Sequence, residues 1–176
     1  MNKSIFIVFI MSILLIVSCA TDDTCTQTKY VTFTADFFHV YYNDTTKINT
    51  IYGMSIDSLT IQGLRLDTLT GKYTPVDSIL YNNQKLVSKI NLPLNNFATR
   101  STKFATSSTF KLKFNTTSDT MTIYHTNLND YLSLECGCIV LHKIDTVTIT
   151  RHFIDSVRIT NHDVNTTDAE NIRLYK

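Results

Sequence analysis

The stretch Phe110-Lys111-Leu112-Lys113-Phe114 alternates apolar and charged residues without a break. In an extended strand successive side chains point to opposite faces, so this pattern puts Phe, Leu and Phe on one face and both lysines on the other. On a helix the same residues would scatter around the axis and bury nothing coherently. Asn115 to Asp119 is a polar turn, and Met121-Thr122-Ile123 resumes the alternation, so a hairpin with an aromatic inner face is expected. No window sustains the helical period of 3.6. Thr occurs 28 times and Ile 18 times against 5 Ala, a bias toward pleated, half-buried surfaces. Further strands are predicted at 30–42, 50–61, 78–92, 131–144, 146–150, 153–160 and 171–175. The expected fold class is all-β: an antiparallel β-sandwich, immunoglobulin-like in the broad sense, with a small closed barrel as the alternative. Residues 141–150 and 151–160 align in a faint ten-residue register, read as two consecutive strands of one sheet.

The start of the chain reads as an address. Met1-Asn2-Lys3 is followed by the apolar run Ile5–Val17, broken only by Ser12. That run is short for a membrane span and fits the apolar region of a secretory signal. It ends in Ile16-Val17-Ser18-Cys19, which resembles the bacterial lipoprotein box. The resemblance implies a signal peptide over 1–18, cleavage before Cys19, and lipidation of Cys19 with palmitate-type chains, enough for stable anchoring. A lipidated tether is expected over 19–28 and one domain over 29–176. Asp22 and Asp23 after the cysteine resemble the signal that sends Bacteroidota lipoproteins to the cell surface, which leaves both outer-membrane faces open. The full chain carries a net charge of +1, giving no electrostatic case for nucleic acid.

Cys25, Cys136 and Cys138 remain for an oxidising compartment. Cys136 and Cys138 would project from one face of a strand, where a bridge between them is strained. The expected disulfide is Cys25–Cys136, closing a loop worth about 4–5 kcal/mol in the chain-entropy model, with Cys138 as the odd thiol. Pairing of Cys25 with Cys138 is the alternative. No zinc or other metal site is expected from one C-x-C and scattered histidines. His39, His125, His142, His152 and His162 read as surface or edge residues, although the ten-residue spacing of the last three would gather them if their strands paired in register. No catalytic residue is expected, because no nucleophile elbow, zincin helix or P-loop is found. No cofactor is implied. An enzyme would declare itself by a cleft holding a carboxylate or histidine with a strongly perturbed pKa.

Phe37-Phe38-His39-Val40-Tyr41-Tyr42 is the densest aromatic cluster. It reads as core and edge packing, or as a platform for sugar rings. A second pattern is Asp, then Ser or Thr, then an aliphatic residue, Met or Thr. It occurs seven times, with hydroxyls at Thr45, Ser58, Thr68, Ser78, Thr120, Thr146 and Ser156, where composition predicts about one or two. The pattern resembles the Bacteroidota periplasmic O-glycosylation sequon, and strand-opening turn chemistry explains the same excess.

Several pieces together resemble a known family: Asp22-Asp23-Thr24-Cys25, Leu92-Pro93-Leu94, Thr102-Lys103-Phe104, Asp119–Tyr124, Tyr131–Gly137, Ile154–Asn161, Glu170-Asn171 and the closing Ile172–Tyr175. They resemble a family of uncharacterised Bacteroidota lipoproteins, domain of unknown function 6452. In that family an aromatic residue usually follows Cys-Gly, and Cys138 departs from this. The resemblance implies a β-rich outer-membrane lipoprotein and supplies no activity. The expectation is a lipid-anchored, non-catalytic module that docks on an outer-membrane protein, with a carbohydrate-binding surface lipoprotein as the alternative.

Overall fold

A computed structural model describes residues 31–96, 106–133 and 137–176. The expected signal peptide and tether, with Cys19, Cys25 and Cys136, lie outside the described residues. Eleven strands are found among the described ones: β1 Phe33–Asn43, β2 Ile48–Gly53, β3 Leu59–Leu66, β4 Tyr73–Gln84, β5 Lys89–Leu92, β6 Thr106–Phe114, β7 Thr117–Ser133, β8 Gly137–Ile149, β9 Ser156–Ile159, β10 Asp163–Val164 and β11 Ile172–Tyr175. They form two sheets packed face to face, the expected sandwich. The first has the order β2-β1-β11-β9, with β5 also paired to β1; the second has the order β10-β8-β7-β6-β3-β4. All pairings are antiparallel except β1 with β11, which run parallel from Ala35↔Ile172 to Phe38↔Tyr175. The first and last strands of the domain thus close one sheet together.

The alternating hairpin forms as its sequence predicts. Phe110, Leu112 and Phe114 are buried and Lys111 and Lys113 are exposed. The turn is tighter than expected: Phe114 pairs with Thr117, so Asn115 and Thr116 alone make it, with Asn115 at φ 47°. Asn tolerates that left-handed conformation better than other non-glycine residues. Phe114 lies where the layers meet. It stacks on Phe153 at 4.2 Å and meets the edge of Phe37, from the opposite sheet, at 6.2 Å. Ile61, Ile90, Leu92, Met121, Ile123, Ile172 and Leu174 complete the core from both sides. Each such side chain contributes about 1.5–3 kcal/mol on burial.

Three expectations are corrected, all for one reason. The single strand expected over 50–61 is two: β2 ends at Gly53, and the chain crosses to the other sheet before Leu59, pinned by an Ile56–Val87 bridge. The strand expected over 78–92 also splits, at Asn83 and Leu86, both with positive φ, as β4 of the second sheet gives way to β5 of the first. The ten-residue register does not mark two strands of one sheet. Its first unit is in β8 and its second in β9, which belong to opposite sheets. Local alternation reports extended backbone and not the sheet to which it belongs.

The β8–β9 crossing is fastened by one carboxylate. Asp119 is buried, and its oxygens accept the backbone N–H groups of His152, Phe153 and Ile154 at 2.8–3.0 Å and the Thr150 hydroxyl at 2.9 Å. His152 Nδ1 is 3.2 Å away. Burial alone would raise the Asp119 pKa; the backbone and hydroxyl hydrogen bonds together hold it below the usual carboxylate range.

Candidate functional site

The sandwich has two distinct ends. At the near end β1 begins, β5 runs out into Pro93–Asn95, β6 starts, and the β3–β4 and β7–β8 hairpins turn. The Asn95 backbone bonds to Ser108 and Asn127 fix this alignment of the two sheets. At the far end lie the β6–β7 turn and the β1–β2 hairpin.

The β1–β2 hairpin splits the sequence-predicted aromatic cluster. Phe37 is core, and Phe38 packs on Tyr175 with the Arg173 guanidinium 4.9 Å over its ring. Val40 still bonds to the C-terminal residue, Lys176. Beyond it, Tyr41–Asn43 pair only with β2 among the described residues. The turn closes because Asn43 Oδ1 accepts the N–H groups of Thr45 and Thr46. Register places His39 opposite Tyr52 and Tyr41 opposite Thr50, so Tyr41 and Tyr52 are diagonal neighbours on one face, 56 % and 57 % exposed. Ile48, 61 % exposed, shares that face; Tyr42 and Ile51 are exposed on the other. The result is a two-stranded ribbon with uncovered apolar side chains on both faces. Sequence reasoning found Tyr41 and Tyr42. It missed Ile48, Ile51 and Tyr52, because only strand register brings them alongside.

The near end holds a buried polar network. His125 and His142 are not surface residues; both are buried, with rings 5.0 Å apart and edge-on. Their strands carry them inward in register with Ile123 and Ile144, which their polar character conceals in the sequence. Asn127 Oδ1 lies 2.9 Å from His125 Nδ1 and 2.8 Å from His142 Nδ1. Asn127 Nδ2 donates to the Asn95 carbonyl, which fixes the amide orientation. The carbonyl oxygen must therefore accept from both rings, so each histidine carries its proton on Nδ1. His125 Nε2 then accepts from the Ser108 hydroxyl at 2.9 Å, and Ser108 Oγ accepts the Asn95 N–H at 2.8 Å. With these tautomers both rings are neutral, the state that burial favours. Burial lowers the His125 pKa, and burial together with His125 lowers that of His142 to about 4.

Ser108 also lines a cleft of about 450 Å³ with Leu64, Tyr73, Val76 and Leu94. Hydroxyl, imidazole and amide carbonyl stand in the order of nucleophile, base and orienting group. Such catalysis must pass through an imidazolium. Burial of His125 opposes that charge, and its hydrogen bond to Asn127 and the Asp145 carboxylate offset this only in part. Ser108 is only 6 % exposed and its oxygen already takes the Asn95 amide. The chemistry favoured by this arrangement is fixed proton placement, which ties β6, β7, β8 and the segment after β5 together.

The other sequence-singled residues are dispersed. His142, His152 and His162 do not meet: His152 faces Asp119, and His162 Nδ1 bonds the Ile144 carbonyl. No group of three metal-ligating side chains occurs among the described residues. Asp36, in register with Lys89 and Arg173, has its carboxyl pushed up by burial and by Glu170. Cys138 is exposed and carries a free thiol. Of the Asp-hydroxyl sites, Thr45, Thr68, Ser78, Thr146 and Ser156 are exposed and Thr120 is half-buried. Ser58 is buried with its hydroxyl on Asn83 Oδ1. Two of the aspartates do turn or corner work: Asp67 accepts the Leu69 N–H and the Thr70 hydroxyl, and Asp119 holds the β8–β9 crossing.

The fold and its two ends define an all-β sandwich with an uncovered apolar ribbon at one pole and a closed polar network at the other. A family sequence profile matches residues 58–176, and the chain belongs to that family, described as a family of unknown function (DUF6452). The matched stretch begins after β2, so the ribbon lies outside it. No curated protein and no solved structure matches the chain.

Proposed function

We propose that the protein is a lipid-anchored cell-envelope lipoprotein of the Bacteroidota type, held in the outer membrane through Cys19, acting as a non-catalytic accessory module that docks a protein partner. The observation that carries the docking role is the β1–β2 ribbon. Tyr41, Tyr42, Ile48, Ile51 and Tyr52 leave apolar surface in water on both faces of a two-stranded element. Such patches mark interaction sites, and tyrosine is a frequent anchor at them. The outer edge of β2 also offers backbone groups for strand addition by a partner. The lipoprotein box and the family resemblance support the anchor. The test is photo-crosslinking in cells from a reactive residue placed at Ile48, against the same residue at Lys113 on the outer face of β6. One reproducible envelope protein captured from Ile48 and not from Lys113 supports the reading. Equal or absent capture refutes it.

A second reading rests on Tyr41 and Tyr52 sharing one exposed face, a surface on which sugar rings stack. Saturable glycan binding lost in both Tyr41→Ala and Tyr52→Ala would replace the protein partner with a carbohydrate.

A further inference from the structure

The ribbon is not the only uncovered apolar surface. At the near end Leu69 is 95 % exposed at the tip of the β3–β4 hairpin, with Leu66 and Tyr73 exposed on its flanks. The β7–β8 hairpin turns at the same end and exposes Leu128 and Tyr131. These two tips belong to one pole because β3 and β7 both run toward the start of β6, as the pairs Leu64↔Thr109 and Thr106↔His125 require. The same pole is where the chain enters the domain, since Val31 precedes Phe33 at the head of β1.

We infer that this pole rests on the lipid bilayer to which the chain is anchored, with Leu69 and Tyr131 seated in the interfacial region and the β1–β2 ribbon held away from the membrane. The inference rests on lipidation of Cys19. From Cys19 to Val31 the chain can span at most about 40 Å even fully extended, so the entering pole never leaves the neighbourhood of the bilayer. Leu and Tyr are suited to that layer, where an apolar body sits among acyl chains and a hydroxyl stays wet. Tethering makes even a weak contact count, because the second binding event is intramolecular. Described charges on the tips are mixed: Arg65 and Lys72 stand against Asp67 and Asp130. The contact is therefore hydrophobic and should be insensitive to salt. This arrangement gives the two apolar surfaces opposite tasks, one toward lipid and one toward a partner.

The chain contains no Trp, so single tryptophans report without background. The full lipidated chain carrying Leu69→Trp, Tyr131→Trp or Tyr52→Trp is reconstituted into phosphatidylethanolamine–phosphatidylglycerol vesicles with brominated acyl chains. Several-fold stronger quenching at Leu69→Trp and Tyr131→Trp than at Tyr52→Trp, unchanged by added salt, is expected. A chain that floats with the vesicles while Leu69→Trp is quenched no more than Tyr52→Trp overturns the inference and leaves the anchor standing. A chain that does not float overturns the anchor reading, and the inference falls with it. Leu69 and Tyr131 lie outside the core, so the variants fold as the parent does.

Discussion

Acidification should unfold this sandwich from the near end, through the paired histidines. Above about pH 6.5, His142 is neutral in both the folded and the unfolded chain, and the network is intact. Below that value the unfolded chain takes up a proton that the folded chain refuses until about pH 4. The unfolded state then binds more protons, so stability falls as pH falls. The slope reaches about 1.4 kcal/mol per pH unit, and crossing the window removes about 3 kcal/mol, a large part of the roughly 5–15 kcal/mol that holds a domain folded. His125, also lowered, acts with the same sign. Asp119 does not interfere, because its depressed pKa makes its stability loss begin only below about pH 4. The assay is the urea midpoint from about pH 7 to about pH 4.5, with His142→Gln as the non-titrating control. The parent midpoint should drop across the window and the variant's should drop markedly less. A flat midpoint, or an NMR titration of His142 centred near pH 6.5, would refute the neutral network.

Asp119→Ala leaves three backbone N–H groups of the β8–β9 crossing, one buried and two part-buried, without their acceptor and should cost about 3 kcal/mol, with Asp119→Asn costing less, as read by thermal unfolding. Gly63→Ala should destabilise by about 1–3 kcal/mol, because the new methyl group would lie 2.9 Å from Val76 Cγ2 on the neighbouring strand; an unchanged melting temperature would show that Val76 yields freely. Cys138→Ser should change stability little, whereas Cys25→Ser and Cys136→Ser should lower it to the same extent, by up to about 4–5 kcal/mol. Thiol titration of the unreduced, unfolded chain checks the expected pairing: reactive Cys25 and Cys136 would refute it.

Some of this architecture is legible locally. Phe110, Leu112 and Phe114 announce both a strand and its buried face, because the two-residue period is a property of backbone geometry alone. The β6–β7 turn is announced by the polar run after Phe114. The splits at Gly53 and at Asn83–Leu86 are not legible. An apolar stretch looks the same whether its end continues a sheet or crosses to the opposite one. His125 and His142 were misread for a related reason. Their burial depends on Asn127, Ser108 and the Asn95 backbone arriving from other segments to satisfy each nitrogen, and no spacing along the chain encodes that meeting.

By itself the sequence determined the all-β class and the alternating core strands, because each is written in the composition or order of neighbouring residues. Tertiary structure alone decided which strands share a sheet, that β1 closes in parallel with β11, that two histidines are buried around Asn127, and that apolar surface is left at both poles. Those outcomes depend on contacts between residues far apart in the chain, where the free energy of pairing and desolvation overrides any local preference.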